Sequence, residues 1–224
     1  MNLLVEFTKW AAGWIGDLVI PRIFRGDDQP PIMTIDVMNA DRIKSIQSKI
    51  GVAVDGYWGP KSEAACRAHL QRIIDDSGSN WPETDQRSLT RFYGDAGDEN
   101  RLVNLNVAGY GIRYDGSTVK TIRCHERVAE SLARVLKELS RTHPKIVEEY
   151  AGCFNDRSMR GSSTPSLHAR GAAIDFAPDT NGNHDHWPSR ADMPLEVMES
   201  FAREGWISAG AFWSRDAMHF QATK

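Results

Sequence analysis

The chain has 224 residues, of which 41% are hydrophobic and 25% charged, a composition typical of a globular protein with room for one substantial domain and a small one. Its formal net charge is −3 at pH 7, so the chain lacks the excess positive charge that binds nucleic acid, and we expect no nucleic-acid partner. The three cysteines, Cys66, Cys124 and Cys153, are widely spaced without a CxxC pair, which indicates synthesis in a reducing compartment.

The N-terminal residues predict an amphipathic helix. Apolar side chains recur at helical spacing from Leu3 to Leu18, and Glu6, Lys9 and Asp17 lie on the other side. Because the segment lacks a basic start and a small-residue cleavage site, we expect no secretory signal. Three roles stay open: docking on the protein itself or on another copy, contact of residues 1–20 with a membrane surface, and a cryptic export signal.

Two polar segments divide the rest of the chain. Residues 25–31 end in two prolines, and residues 75–83 are rich in Asp, Ser, Gly and Asn, so both are predicted to be linkers. The sequence therefore predicts an N-terminal helix with its linker at 1–30, a small helical domain at 31–80 and a larger domain at 81–224. We expect the protein to be a monomer.

The small domain is predicted to be a helical hairpin. Asn39 is predicted to cap its first helix, which ends at Gly51. Pro60 is predicted to open the second helix, which covers about Lys61 to Ile74.

The turn of this hairpin carries a motif. Residues 55–62 have the sequence D-G-Y-W-G-P-K-S, which resembles the D-G-x-[FW]-G-x-x-[ST] turn of helical peptidoglycan-binding domains. The resemblance covers about residues 36–76 and implies that the domain anchors the protein to bacterial peptidoglycan. Tyr57 and Trp58 are then candidate substrate-binding residues, stacking on a glycan or a stem peptide. The alternative, that Trp58 fills the core of the hairpin, stays open.

The sequence of the larger domain predicts an α+β fold, with helices packed on one face of a small antiparallel sheet. Apolar periodicity indicates one helix from Val128 to about Arg141 and another over Leu195–Ala202, followed by Gly205. The expected strands are short, and they lie at 102–103, 119–123, 172–177 and 218–221, with 146–150 either a strand or the start of a helix.

Two clusters near the C-terminus carry the candidate site. Asp175 is an ionisable residue in the middle of an apolar run, and His168 lies just before that run. Asp216 and His219 flank another apolar, aromatic stretch. A buried carboxylate costs free energy unless it is paired or binds a cation. Two imidazoles, a carboxylate and a spare carboxylate are the inventory of a catalytic zinc site, with three ligands, an open position and a base.

The other five histidines are weaker candidates for a metal. His184 and His186 alternate on a loop rich in Gly and Asn, which would hold ligands poorly. The remaining three are isolated in the sequence, and they are His69, His125 and His143. We expect core or surface positions for them.

The two clusters resemble motifs of the zinc D-Ala-D-Ala carboxypeptidases and L-alanyl-D-glutamate endopeptidases, which include many phage endolysins. The S-x-H-x-x-G-x-A-x-D motif of that family matches at residues 166–175, and its second motif, an acid three residues before a histidine, matches at residues 216–219. The resemblance extends over about residues 90–224. It implies a small antiparallel sheet with helices and one catalytic Zn²⁺.

Carried over by position, the resemblance makes His168, Asp175 and His219 the zinc ligands. Asp216 would be the general base. An aspartate at 216, where other members have glutamate, is the form found in endolysin-like members and favours an endopeptidase.

The family also uses an arginine upstream of the first zinc ligand to polarise the scissile carbonyl. Arg157 and Arg160 both lie in that segment; we prefer Arg157 as the catalytic residue and assign Arg160 to substrate binding. A salt bridge that only supports the loop is the alternative. Ser166 is expected to orient the motif beside the substrate, since no base is evidently placed to activate it.

The resemblance implies hydrolysis of a stem-peptide amide in peptidoglycan, with L-Ala–D-Glu as the expected bond. The alternatives are a D-Ala-D-Ala carboxypeptidase of wall remodelling and a non-catalytic wall-binding or tail structural protein. The spare carboxylate speaks against the last of these, because a structural zinc site needs no base. Without a signal peptide, we expect synthesis in a host cytoplasm and action in the cell wall or periplasm after release.

Overall fold

A computed structural model of the chain describes the backbone from Ile32 and the side chains from Asn39, both through to Lys224. The predicted N-terminal helix and linker at 1–30 lie outside these residues. Residues 36–224 form one compact unit. None of the helices in the described part is long and apolar enough to cross a membrane.

The described residues combine helices with small antiparallel sheets, which confirms the α+β class. The α-helices are α1 (Ile32–Ile50), α2 (Pro60–Asp76), α3 (Gln86–Tyr93), α4 (Ala129–Thr142), α5 (Pro144–Glu148), α6 (Leu195–Ala202) and α7 (Ala209–Phe212). The strands are β1 (Leu102–Asn106), β2 (Arg113–Tyr114), β3 (Ser117–Thr118), β4 (Thr121–His125), β5 (Tyr150–Gly152), β6 (Ala173–Phe176), β7 (Ile207–Ser208) and β8 (His219–Gln221). In the described part they form two two-stranded sheets, β1-β4 and β2-β3, and one four-stranded sheet of order β5-β6-β8-β7.

Helices α1 and α2 form the predicted hairpin, but α1 starts earlier than expected. It begins at Ile32, so Asn39 lies inside the helix and the prediction that it is the N-cap is wrong. Residues 32–38 contain neither Gly nor Pro, so their sequence does not prevent a helix that starts at Ile32. The end at Ile50, before the left-handed Gly51, agrees with the sequence.

A buried glutamine holds the turn between the two helices. The Gln47 amide nitrogen donates to Asp55 Oδ1 at 2.7 Å and to the Tyr57 carbonyl at 2.9 Å, while its oxygen accepts from the Gly56 backbone amide at 2.9 Å. The amide nitrogen also lies within donating distance, 3.2 Å, of Ser62 Oγ. Because one buried side chain contacts four groups of residues 55–62, that motif has a fixed shape.

The hairpin packs against the C-terminal part of the chain. Trp58 meets Trp187 edge to face, with ring centroids 5.3 Å apart. Glu199 on α6 is buried and accepts from Lys49 at 2.7 Å, and its other oxygen lies 2.8 Å from His69 Nε2. Trp58 therefore packs outside its own hairpin, between that hairpin and the rest of the unit.

The segment between α2 and α3 is also packed. The Trp81 indole donates to the Glu204 carbonyl at 2.9 Å, and its ring contacts Phe92 and Trp206. A division of function at residue 80 stays a prediction, because a packed connection is compatible with one module or two.

Strands β6 and β8 place the site on the four-stranded sheet. Their antiparallel register pairs Ile174 with Phe220 and Asp175 with His219. Ile174 and Phe220 are fully buried, and Phe220 stacks on Phe201 of α6 with centroids 4.0 Å apart. Since side chains alternate along a strand, Asp175 and His219 project from the opposite face of the sheet.

Candidate metal centre and active site

His168 lies in the 3₁₀-helix Leu167–Arg170, just before β6. The Ser166 hydroxyl caps this turn by accepting from the His168 backbone amide at 3.3 Å, and Gly171 ends it with a φ of 65°. The imidazole Nδ1 lies 2.6 Å from the Cys153 carbonyl oxygen, to which it donates. Nδ1 is thus turned toward the backbone, and Nε2 is the nitrogen that faces the Asp175 carboxylate.

Three ligand atoms converge where the 3₁₀-helix meets the strands. His219 Nδ1 lies 2.9 Å from Asp175 Oδ1, and His168 Nε2 lies 3.2 Å from Asp175 Oδ2. The two facing nitrogens of the histidines are 3.2 Å apart. Among the described residues, this is the group whose ligand atoms all lie within 4.8 Å of one another.

The charges of this group are coupled. Burial raises the pKa of the Asp175 carboxyl, but hydrogen bonds from His168 and His219 outweigh it and hold that pKa well below its usual range. Burial lowers the pKa of His219, whereas the Asp175 carboxylate raises it more, so the net shift is upward.

The residues fit a zinc ion. Two imidazole nitrogens and one carboxylate are a donor set that Zn²⁺ uses in catalytic sites, with a position left for water. The far nitrogen of each imidazole meets an oxygen, the Cys153 carbonyl for His168 and Gln221 Oε1, at 3.1 Å, for His219. Such outer partners orient ligating histidines and fix their tautomers.

Asp216 stands beside the cluster without joining it. Its Oδ1 is buried and has no hydrogen-bond partner, and its backbone has a φ of 59°. Burial raises the pKa of the Asp216 carboxyl, with a contribution from Asp175, while His219 and Arg160 oppose the shift. A carboxyl with one unpaired, buried oxygen and a raised pKa, next to three candidate ligands, is suited to accept a proton from water.

Two cavities meet at this cluster. The first, of about 350 Å³, contains the three ligands and Asp216 in its lining, and the second is larger, about 880 Å³. The linings of both cavities share the residues Arg157, Arg160, Asp175 and Met218. Arg157, preferred from the sequence as the catalytic arginine, and Arg160, the alternative, therefore both line the junction of the two cavities.

The segment that carries the site matches a known family. The family model described as D-alanyl-D-alanine carboxypeptidase matches residues 160–222. That segment includes the three candidate ligands and Asp216, and the match supports a peptidase that acts on peptidoglycan. No curated protein and no solved structure matches the chain.

The match to the carboxypeptidase family leaves part of the chain uncovered. It begins at Arg160, so Arg157 and the hairpin at 32–76 lie outside it. Tyr57 and Trp58 do not line either of the two cavities. Their assignment to substrate binding stays a prediction about a surface separate from these two cavities.

The structure adds residues to the site that the motifs did not indicate. Trp213 is 46% exposed, lines the first cavity and stacks on His219 at a ring-centroid distance of 6.1 Å. Gln221 shares a strand with His219 and binds its far nitrogen. The alternation of β8 could have indicated Gln221, since residues two apart share a face. The Cys153 contact is a backbone contact and has no sequence signal.

Proposed function

We propose that the protein is a peptidoglycan hydrolase of the endolysin type, which cleaves the L-Ala–D-Glu bond of the stem peptide with one Zn²⁺ held by His168, Asp175 and His219. The observation that supports the endopeptidase assignment is a continuous groove, formed by the two cavities that meet at Asp175. Asp175 lies where cavities of about 350 and 880 Å³ meet, so a chain can extend in both directions from the metal. Both volumes fall in the range of ligand pockets and exceed the space that one terminal alanine needs.

The side chains around the groove have distinct roles. When bound, Zn²⁺ would polarise the scissile carbonyl and lower the pKa of water, so that hydroxide is available as the nucleophile. Asp216 takes the proton of the attacking water on its carboxylate and passes it to the nitrogen of the leaving amine. Arg157 donates hydrogen bonds to the negative charge that develops on the carbonyl oxygen, and Arg160 holds a carboxylate of the substrate.

In this proposal the hairpin targets the protein to the cell wall. Its turn, with Tyr57 exposed, binds the wall while the groove cuts the stem peptide. Because the contacts of Trp58 and Glu199 hold the hairpin against the C-terminal part of the same unit, wall contact and catalysis take place at a fixed separation. The protein is made in a host cytoplasm and reaches the wall after release, and residues 1–20 are the part that could meet a membrane surface.

A second candidate is a D-Ala-D-Ala carboxypeptidase, which the description of the matching family favours. It would use the same ligands and the same base. The difference lies in the bond presented to the metal, because a carboxypeptidase places a single terminal D-Ala beyond the scissile amide.

Digestion of purified peptidoglycan separates these functions. The native protein and an Asp216→Asn variant are each incubated with sacculi, and the soluble fragments are sequenced by mass spectrometry. New D-Glu amino termini from the native protein alone would support the endopeptidase, whereas release of D-Ala alone would replace it with the carboxypeptidase. If neither protein released fragments while both still pelleted with the wall, the protein would be a wall-binding protein without activity.

A further inference from the structure

The last strand of the sheet carries a chain of hydrogen bonds behind one metal ligand. His219 and Gln221 lie on the same face of β8, and Gln221 is only 7% exposed. Gln221 Oε1 lies 3.1 Å from His219 Nε2. The Gln221 amide nitrogen in turn donates to Thr223 Oγ1 at 2.6 Å, and Thr223 is fully buried.

This chain selects one tautomer of His219. A neutral imidazole carries one proton, so Nδ1 can bind a cation only when the proton is on Nε2. An N–H on Nε2 needs an acceptor, and Gln221 Oε1 is placed to be that acceptor. The Thr223 hydroxyl orients the amide, because its oxygen accepts from the nitrogen end of the Gln221 side chain.

We propose that Gln221 is a positioning residue that holds His219 with its proton on Nε2 and its Nδ1 toward the metal, and thereby sets the zinc affinity of the site. The inference rests on the metal site of the proposed function and does not depend on the bond that is cleaved. His168 has its partner on the backbone, at the Cys153 carbonyl. Gln221 is therefore the outer contact of a ligating histidine that side-chain substitution can remove or strengthen.

Two substitutions test the proposal, with zinc affinity measured by competition against a chromophoric chelator. Gln221→Leu keeps the volume but removes the acceptor, and we expect roughly 10- to 100-fold weaker zinc binding. Gln221→Glu replaces the neutral acceptor with a charged one, and we expect zinc affinity equal to or tighter than native. Gln71→Leu, on the exposed side of α2, is the matched control and should leave the affinity unchanged.

A readout besides affinity separates positioning from a structural role. The midpoint of thermal unfolding is measured for each protein without metal and with saturating Zn²⁺. Gln221→Leu should lower the rise in midpoint caused by zinc, over and above any fall of the metal-free midpoint from the lost hydrogen bonds to His219 and Thr223. In the zinc-loaded native protein, ¹⁵N NMR of the imidazole should place the proton of His219 on Nε2.

The possible failures differ. Native zinc affinity in Gln221→Leu would overturn the proposal, and so would a proton on Nδ1 of His219 in the zinc-loaded protein. If Gln221→Leu does not fold, Gln221→Glu decides, because weaker zinc binding by that variant would also overturn it. A native protein that binds zinc but cuts no peptidoglycan would refute the proposed function and leave this inference standing.

Discussion

Asp175 and His219 face each other directly across β6 and β8, and the carboxylate oxygen lies 2.9 Å from the imidazole nitrogen. Two of the three candidate ligands are thus fixed by strand register, with their neighbours Ile174 and Phe220 anchored in the core. A slip of one residue in either strand would turn a ligand toward the core. The stability of the sheet and the geometry of the candidate metal centre are therefore linked.

The first prediction concerns zinc and pH. In the metal-free protein Asp175 raises the pKa of His219 above its ordinary value. The stabilisation from this proton is fully present below the ordinary histidine pKa of about 6.5, and it is lost as pH rises through the raised pKa. Zinc competes with the same proton, so the rise in unfolding midpoint caused by zinc should grow with pH through that window. Thermal unfolding with Zn²⁺ and with a chelator measures it.

A zinc-induced shift that stays constant from about pH 6 to pH 8, on either side of the ordinary histidine pKa, would contradict this prediction. The control is the metal-free protein, whose own midpoint should fall as His219 loses its proton.

The second prediction concerns the base. Asn is one of the few residues that tolerate a positive φ, so Asp216→Asn should keep the backbone at 59° while removing the acceptor for the proton of water. We expect activity on peptidoglycan to fall by about 10²- to 10⁴-fold, with zinc content unchanged. Fragment release and bound zinc are measured on the same preparation.

Asp216→Ala is the comparison for this variant. It should be equally inactive but less stable, because alanine is strained at that φ. An Asp216→Asn protein that kept most of its activity would remove Asp216 from the role of base.

The third prediction separates the two arginines. The charge of Arg160 lowers the pKa of Asp216, which burial otherwise raises. In Arg160→Met that pKa should move further up, and since the base works only when deprotonated, the acid limb of the activity–pH profile should move to higher pH. Arg157→Met should leave the limb in place and lower kcat by about 10²- to 10³-fold, as expected for a donor to the developing oxyanion.

Profiles of kcat and kcat/KM against pH for the native protein and both variants check this assignment. A large loss of kcat in Arg160→Met together with a small loss in Arg157→Met would reverse the preference for Arg157.

Elements with a strong local pattern were predictable from the sequence. Helices α4 and α6 follow their apolar periodicity to within one residue or so of the expected bounds, because burial on one face repeats every three to four residues. Helix α3 was not predicted. Among its eight residues, Leu89 and Tyr93 are the buried ones, and the others are mostly polar. Two buried residues four apart are too few to distinguish a helix from a loop.

In the site, too, the residues within sequence motifs were predictable, whereas the contacts made by folding were not. His168, Asp175 and His219 stand in motifs, so their convergence could be expected from sequence. The residues that orient them act through contacts that exist only in the fold, such as the Cys153 carbonyl, 15 residues from His168 along the chain. The docking of Trp58 on Trp187 is likewise a contact between distant segments, which the hairpin motif does not encode.

The fourth prediction distinguishes the two aromatic residues of the hairpin turn. Trp58 is half-buried against Trp187, whereas Tyr57 is 72% exposed. Trp58→Ala should lower the free energy of unfolding by about 2 kcal/mol, less than a fully buried tryptophan would. Tyr57→Ala should leave stability unchanged but weaken pelleting with purified peptidoglycan, because an exposed ring is free to stack on a glycan or stem peptide.

Both substitutions are made in the inactive Asp216→Asn protein, so that digestion does not change the amount of wall during the assay. Val54→Ala, also exposed in the turn region, is the control for a general effect on the surface. If Tyr57→Ala pelleted as fully as the control, wall binding would not act through this ring. In that case, weaker pelleting by Trp58→Ala would indicate that the shape of the turn matters for wall binding, because Trp58 supports the turn through its contact with Trp187.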